Sequence, residues 1–194
     1  MSAPVLEGVV LRGLTTDDLT AIAGWFEDRD TRRFLGGPEW PARMLALAER
    51  SAGTMFRGAQ QTGTHHYLAL ADDTPVGYID CGTFDRCTVY GGEGPDGPII
   101  LDTIEAGTGS ITFVIDPGRR GRGLGRAMIA AMLARSELRD AELFEAGVDP
   151  RNAASRRCLE AAGFELRSER PDVEGMLYYR VWRRDLIERG ARSA

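Results

Sequence analysis

The chain has 194 residues, 43% of them hydrophobic, which suits one compact domain with a real core. Its formal net charge is −5 and every basic residue is an arginine, a balance that argues against a protein living on nucleic acid. No apolar run approaches the roughly 20 residues that span a bilayer, and Met1 to Val10 lacks the basic and apolar regions of a secretory signal. Cys81, Cys87 and Cys158 form no Cys-x-x-Cys pair and no metal-ligand spacing with His65 or His66, so a cytoplasmic protein without a metal or a membrane partner is expected.

Val5 to Leu11 predicts a first strand. Thr15 then N-caps a helix with Asp18 as its acidic partner, and Leu19, Ile22, Trp25 and Phe26 follow on one face. Pro41 suits the first turn of a second helix, about Ala42 to Ser51, closed near Gly53. "HHYLALADDTPVGYIDCGTF" predicts two strands around an Asp-Asp-Thr-Pro turn. Arg86 to Gly109, rich in glycine and carrying Glu93, Asp96, Asp102 and Glu105, reads as irregular. Ser110 to Ile115 predicts a strand, Leu124 to Arg135 a helix, and Ala141 to Val148 another strand. Asn152 to Ala162 predicts a helix that Gly163 ends, and Phe164–Ser168 with Met176–Trp182 a closing hairpin. The resulting order, β-α-α-β-β-β-α-β-α-β-β, implies one α/β domain over residues 1–194, with a mixed sheet rather than a doubly wound parallel one.

Between the Ser110–Ile115 strand and the next helix, Gly118 to Arg126 places four arginines and four glycines in nine residues. A helix start leaves backbone N–H groups without intrahelical partners, and its dipole adds positive charge. Glycines let a ligand approach the backbone. Together they make an anion site, with a pyrophosphate as its usual occupant. Arg119, Arg120, Arg122 and Arg126 would add charged donors. A Walker A loop needs a lysine, which the chain lacks, and Gly121-Arg122-Gly123-Leu124-Gly125 is not the Gly-x-Gly-x-x-Gly of dinucleotide folds.

Arg120-x-x-Gly123-x-Gly125, preceded by "FVIDP" and followed by an amphipathic helix, resembles the acetyl-CoA loop of the GNAT superfamily of N-acetyltransferases. "NAASRRCLEAAGFE", Asn152 to Glu165, is similar to that superfamily's second motif, in the right order and at the right distance. The resemblance implies a mixed, mostly antiparallel sheet split in a V and flanked by about four helices, with acetyl-CoA as co-substrate in the split. It implies that backbone groups at Val114 and Ile115 hold the acetyl and pantetheine portions. The amides of Arg120, Gly121, Arg122, Gly123, Leu124, Gly125 and Arg126 would hold the pyrophosphate, and Asn152 and Ser155 the pantetheine arm. A homodimer is the assembly that the family suggests.

Acetyl transfer to an amine needs a base, donors for the oxyanion and an acid for the thiolate. Many family members place a tyrosine acid where this chain has Leu159, and a strand carboxylate where it has Gly109 and Ile111. Asp102, Glu105 and Glu145 are therefore the candidate bases. "LTAIAGWFEDRDTRRFLGG", "ALADDTPVGYI" and "RPDVEGMLYY" resemble the aminoglycoside 6′-N-acetyltransferase branch. By that resemblance Glu93, Asp96 and Asp172 would bind a small cationic acceptor such as an aminoglycoside, and Trp25 and Trp40 would line an apolar wall. The alternatives are a protein N-terminal acetyltransferase of the ribosomal-protein type, or a non-catalytic acyl-CoA-binding module.

Overall fold

The computed structural model describes residues 8–193, with side chains described to residue 188. The fold divides into two compact units. The first holds the residues up to Arg50 with His65–Asp80 and Thr112–Arg135; the second holds Ser51–Thr64, Cys81–Ile111 and the residues from Ser136 onward.

In the first unit, β1 (Val10–Gly13) lies antiparallel to β3 (Ala59–Ala71), in register from Val10↔Leu70 to Gly13↔Tyr67. The expected strand began at Val5, and its residues before Gly8 lie outside the described part. The Thr15 amide donates to Asp18 Oδ2 at 2.9 Å, the cap expected from the sequence, and Arg12 pairs with the same carboxylate at 2.6 Å. The helix it opens is interrupted. A 3-10 turn over Thr16–Asp18 leads into α1 (Leu19–Ala23), and a second 3-10 turn covers Gly24–Phe26. A further helix, α2 (Arg29–Phe34), precedes α3 (Trp40–Ser51). Burial of Ile22, Trp25 and Phe26 against Trp40, Leu68 and Tyr78 holds these short pieces where propensity alone would not.

The β3–β4 hairpin turns on Asp72 and Asp73, both left-handed with φ of 47° and 57°, a geometry that matches the twist of two-residue hairpins. β4 spans Thr74–Phe84, β7 spans Thr108–Ile115, and α4 (Leu124–Leu133) buries Leu124, Met128, Ile129, Met132 and Leu133. The strand order in this unit is β1-β3-β4-β7.

The second unit shares the strands β3, β4 and β7 and has the order β7-β8-β10-β9, with β2 (Met55–Phe56) on β3. β8 (Leu143–Val148) runs parallel to β7 from Thr108↔Leu143 to Ser110↔Glu145, where the ladder ends although β8 continues. β10 (Leu177–Trp182) is antiparallel to β8 and to the short β9 (Glu165–Leu166). The sheet is thus mixed and mostly antiparallel, as expected. α5 (Ala153–Ala161) and α6 (Arg183–Ser193) complete the unit. Neither α2 nor α6 is among the four helices expected from the sequence.

The stretch read as irregular is a hairpin of its own, β5 (Cys87–Gly94) and β6 (Gly97–Ile104). Its register shifts between Val89 and Tyr90 and again before Glu93, so two irregularities break the alternation that marks a strand in a sequence.

Candidate functional site

In the first unit the arginine–glycine loop is fixed at its start. The Asp116 amide donates to Val76 O at 3.0 Å, and its carboxylate accepts from the Gly118 amide at 2.9 Å. Gly121 and Gly123 then adopt φ of 78° and 81°, a region that side chains with a Cβ avoid, and Gly123 becomes the N-cap of α4. The first-turn amides of this ten-residue helix have no intrahelical acceptor, and a Cβ placed at Gly121 would meet nothing within 4 Å. Open space, free amides and the positive end of a helix fit a pyrophosphate.

The four arginines are not equivalent. Arg122 and Arg126 are exposed and form no ion pair among the described residues. Arg119 pairs with Asp116 at 3.6 Å. The Arg120 guanidinium instead reaches α2, donating to Asp28 Oδ1 at 2.8 Å and Thr31 Oγ1 at 2.7 Å. Asp28 is the N-cap of that helix. Burial opposes its ionisation, but the Thr31 amide and Arg120 hold it below the usual carboxylate range. The Arg120 side chain, expected to bind phosphate, ties the loop to α2 through Nη2, with its other guanidinium donors outside these two bonds. Val114 is buried and Ile115 half-buried at the end of β7.

In the second unit Asn152 is the N-cap of α5, its Oδ1 accepting from the Ser155 amide at 3.1 Å. Leu159, where an acid would stand, is fully buried. The strand position Gly109 has no room for a carboxylate either. A Cβ there would lie 2.6 Å from Phe144 Cδ1 and 2.9 Å from Cys81 Sγ.

A cleft of about 550 Å³ opens in the second unit, within the range of small-molecule sites. Ser110, Glu145, Arg180 and Cys87 contribute to its lining from four strands. Glu145 Oε2 accepts from Arg180 Nε at 3.1 Å and from the Cys87 thiol at 3.4 Å, while Arg180 Nη2 donates to Cys87 Sγ at 2.8 Å; 15% and 13% of the Glu145 and Arg180 side chains are exposed. Burial, then the Glu145 charge, pushes the Cys87 thiol up to about 12, so it remains a protonated donor rather than a nucleophile. Tyr178 is likewise raised to about 12, by burial and then by Asp172 and Glu145. Arg57 sits at a left-handed turn position (φ 50°), pairs with Glu174, and stacks between the rings of Phe56 and Tyr90 at 4.8 Å and 4.6 Å.

Of the candidates named from the sequence, the cleft takes in Glu145 and Asp172. Asp172 Oδ1 accepts from the Glu174 and Met176 amides, both at 2.9 Å. Asp102 and Glu105 are not among its lining residues. They are 61% and 71% exposed and pair with Arg167 at 3.7 Å and Arg86 at 3.3 Å. Glu93 and Asp96 are exposed on the β5–β6 hairpin, Glu93 accepting from the Tyr90 hydroxyl at 2.8 Å. Trp25 and Trp40 do not form an acceptor wall. Both belong to the core of the first unit, at 9% and 8% exposure, where Trp40 stacks on Phe26 at 5.7 Å. Indole rings bury too much apolar area to be left at a wet rim when a core is within reach.

The first unit also holds a buried polar chain. His66 Nδ1 bonds the Tyr78 hydroxyl at 2.8 Å, Tyr78 donates to Asp80 Oδ2 at 2.9 Å, and Asp80 bonds Thr112. Burial pushes the Asp80 carboxyl up to about 7 and His66 down to about 4. The clue in the sequence was one carboxylate inside an otherwise apolar strand, "GYIDCG". Among the described residues no group of three or more His, Cys, Asp or Glu could hold a metal, and no helix is long and apolar enough to cross a membrane.

Residues 9–165, a span that runs through both units, match the acetyltransferase (GNAT) domain family. The chain is 25% identical over 160 residues to the uncharacterised N-acetyltransferase YfmK of Bacillus subtilis (strain 168), covering 82% of this chain and 87% of that protein. It shares its fold with the aminoglycoside acetyltransferase AAC(6′)-Ib solved with coenzyme A, with a TM-score of 0.67, 19% identity, and coverage of 93% and 98% of the two chains. An aminoglycoside N(6′)-acetyltransferase from Legionella pneumophila gives a TM-score of 0.63 at 14% identity, with 94% and 96% covered.

Proposed function

The chain belongs to the GNAT acetyltransferase family and uses acetyl-CoA, and on that premise we propose that it acetylates the primary amine of a small molecule held in the cleft of the second unit. The observation that carries this reading is the place of Glu145. Of the three carboxylates offered as bases, it alone lines the cleft, and it stands in register with Ser110 at the end of the β7–β8 ladder. Acetyl-CoA supplies an acetyl group already activated as a thioester.

The rest falls to the protein. Amides from Arg120 to Arg126, with the Arg122 and Arg126 side chains, bind the pyrophosphate. The family resemblance assigns the acetyl end to backbone groups at Val114 and Ile115 of the first unit and the pantetheine arm to Asn152 and Ser155 of the second. Arg180 and Cys87 orient Glu145, which takes the proton that an ammonium must lose before it can attack, directly or through one water. The balance is one N–C bond formed, one C–S bond broken, and two protons lost by the ammonium nitrogen, the first to Glu145 before attack and the second, through solvent, to the departing sulfur as the tetrahedral intermediate collapses. The chain acts as one catalytic domain. None of its three cysteines forms a disulfide among the described residues, which fits a reducing cytoplasm.

An aminoglycoside acceptor is the finer reading that the motifs suggest. It would depend on Glu145 and Asp172 alone, because Glu93, Asp96, Asp102 and Glu105 do not line the cleft. The test is mass spectrometry of primary amines after incubation with acetyl-CoA, for the parent chain and for Glu145→Gln. One acetyl should be gained, and the variant should lose ~100-fold in kcat with its KM for acetyl-CoA unchanged. Full activity in Glu145→Gln would remove Glu145 from the mechanism.

A further inference from the structure

The charge that faces the cleft is the reverse of what a polycationic acceptor needs. Five arginines line it (Arg57, Arg86, Arg167, Arg170 and Arg180) against two carboxylates, Glu145 and Asp172. The carboxylates that partner Arg86 and Arg167, namely Asp85, Glu105 and Asp102, stand outside the lining, so guanidinium groups outnumber carboxylates where a ligand would sit.

We propose that the acceptor is a zwitterionic amine, an apolar body bearing both a primary amine and a carboxylate, whose carboxylate is held by Arg57, Arg167 and Arg170. This rests on the cleft being the acceptor site. Arg57 is preorganised: its backbone is fixed in a hairpin turn with Gly58, its carbonyl accepts from Thr88 Oγ1 at 2.8 Å, and its guanidinium is clamped between two rings. Its recorded bond to Glu174 uses one nitrogen, leaving donors of the fork for a second carboxylate. Arg170 is exposed and its guanidinium forms no ion pair among the described residues. Among the described residues the Arg167 guanidinium has only the long 3.7 Å ion-pair contact with Asp102, which is open to water.

The ammonium end has its own partners. Glu145, with 15% of its side chain exposed, belongs to the same lining, and Asp172 uses Oδ1 for the turn amides, leaving Oδ2 for the ligand. The same lining carries apolar side chains that a folded protein would otherwise keep covered. Phe56, Leu101 and Val173 are 51%, 67% and 60% exposed, and all three line the cleft. Carboxylates and guanidinium groups side by side, next to an apolar wall, describe an α-amino acid with an apolar side chain, not a sugar that carries several ammonium groups.

The deciding comparison holds the body constant and removes the carboxylate. L-phenylalanine, L-methionine and L-leucine are measured beside phenethylamine, tobramycin and spermidine, reading coenzyme A release and product mass. Binding of the same compounds is read separately by saturation-transfer NMR, which needs no turnover. L-phenylalanine should bind and react with a KM ~tenfold below that of phenethylamine. An Arg57→Ala, Arg170→Ala double variant should bring that ratio near one while its KM for acetyl-CoA stays put. Preference for phenethylamine, tobramycin or spermidine overturns the proposal, as does a ratio that survives the double variant or absence of L-amino-acid binding in the NMR. Binding of L-phenylalanine over phenethylamine without release of coenzyme A would sink the transferase role of this cleft and leave its ligand chemistry standing.

Discussion

At the scale of single residues, Gly109 explains why a carboxylate is missing from its strand. Phe144 and Cys81 occupy the space a Cβ needs, and both are fully buried, so neither can swing aside. Gly109→Ala should therefore destabilise the protein by about 1–3 kcal/mol through overpacking. Urea denaturation measures this, and a variant as stable as the parent would show that Phe144 yields. The same reasoning separates the arginines of the loop. Arg120 bonds Asp28 and Thr31 through Nη2, whereas Arg122 has no ion-pair partner among the described residues.

At the scale of elements, β3, β4 and β7 bring His66, Tyr78, Asp80 and Thr112 into one hydrogen-bonded chain, with His65 the neighbouring charge that also lowers His66. The two titrations oppose each other. Asp80 is raised from 3.8 to about 7, so its contribution to stability is present below pH ~4 and is lost as pH rises through 7. His66 is lowered from 6.5 to about 4, so its contribution is present above pH ~6.5 and is lost as pH falls through 4. Asp80→Asn removes the first limb only. The Tm of the variant should climb from pH 4 to pH 7 more steeply than that of the parent, as calorimetry across that range would record. Parallel curves would mean that Asp80 titrates at its ordinary value in the folded protein.

At the scale of the whole molecule, ligand binding is linked to folding. Acetyl-CoA at ~100 times its Kd should add about 2.7 kcal/mol to the stability of the native state, seen as a rise in Tm. Arg122→Glu, an exposed change without an ion pair to break, should leave the unliganded Tm unaltered and abolish most of that rise. A full ligand-induced rise in the variant would remove Arg122 from the pyrophosphate site. The net charge of −5 belongs to the surface as a whole and does not describe the cleft, whose lining is rich in arginine.

What could be read from the sequence was local. The cap at Thr15, the Asp72–Asp73 turn, the glycines of the loop and the end of α5 at Gly163 each depend on residues within a few positions of one another. The family followed from two such local motifs. Tertiary structure alone decided which side chains share a cavity. Glu145, Cys87 and Arg180 meet only because β5, β8 and β10 converge, across separations of 58 and 93 residues along the chain. It also decided that Trp25 and Trp40 are core and that Asp102 and Glu105 are outside the cleft, since an indole or a carboxylate looks the same in a sequence whichever way its strand or helix is turned. Turning each element fixes its apolar face inward, and that choice is made by the packing of the others.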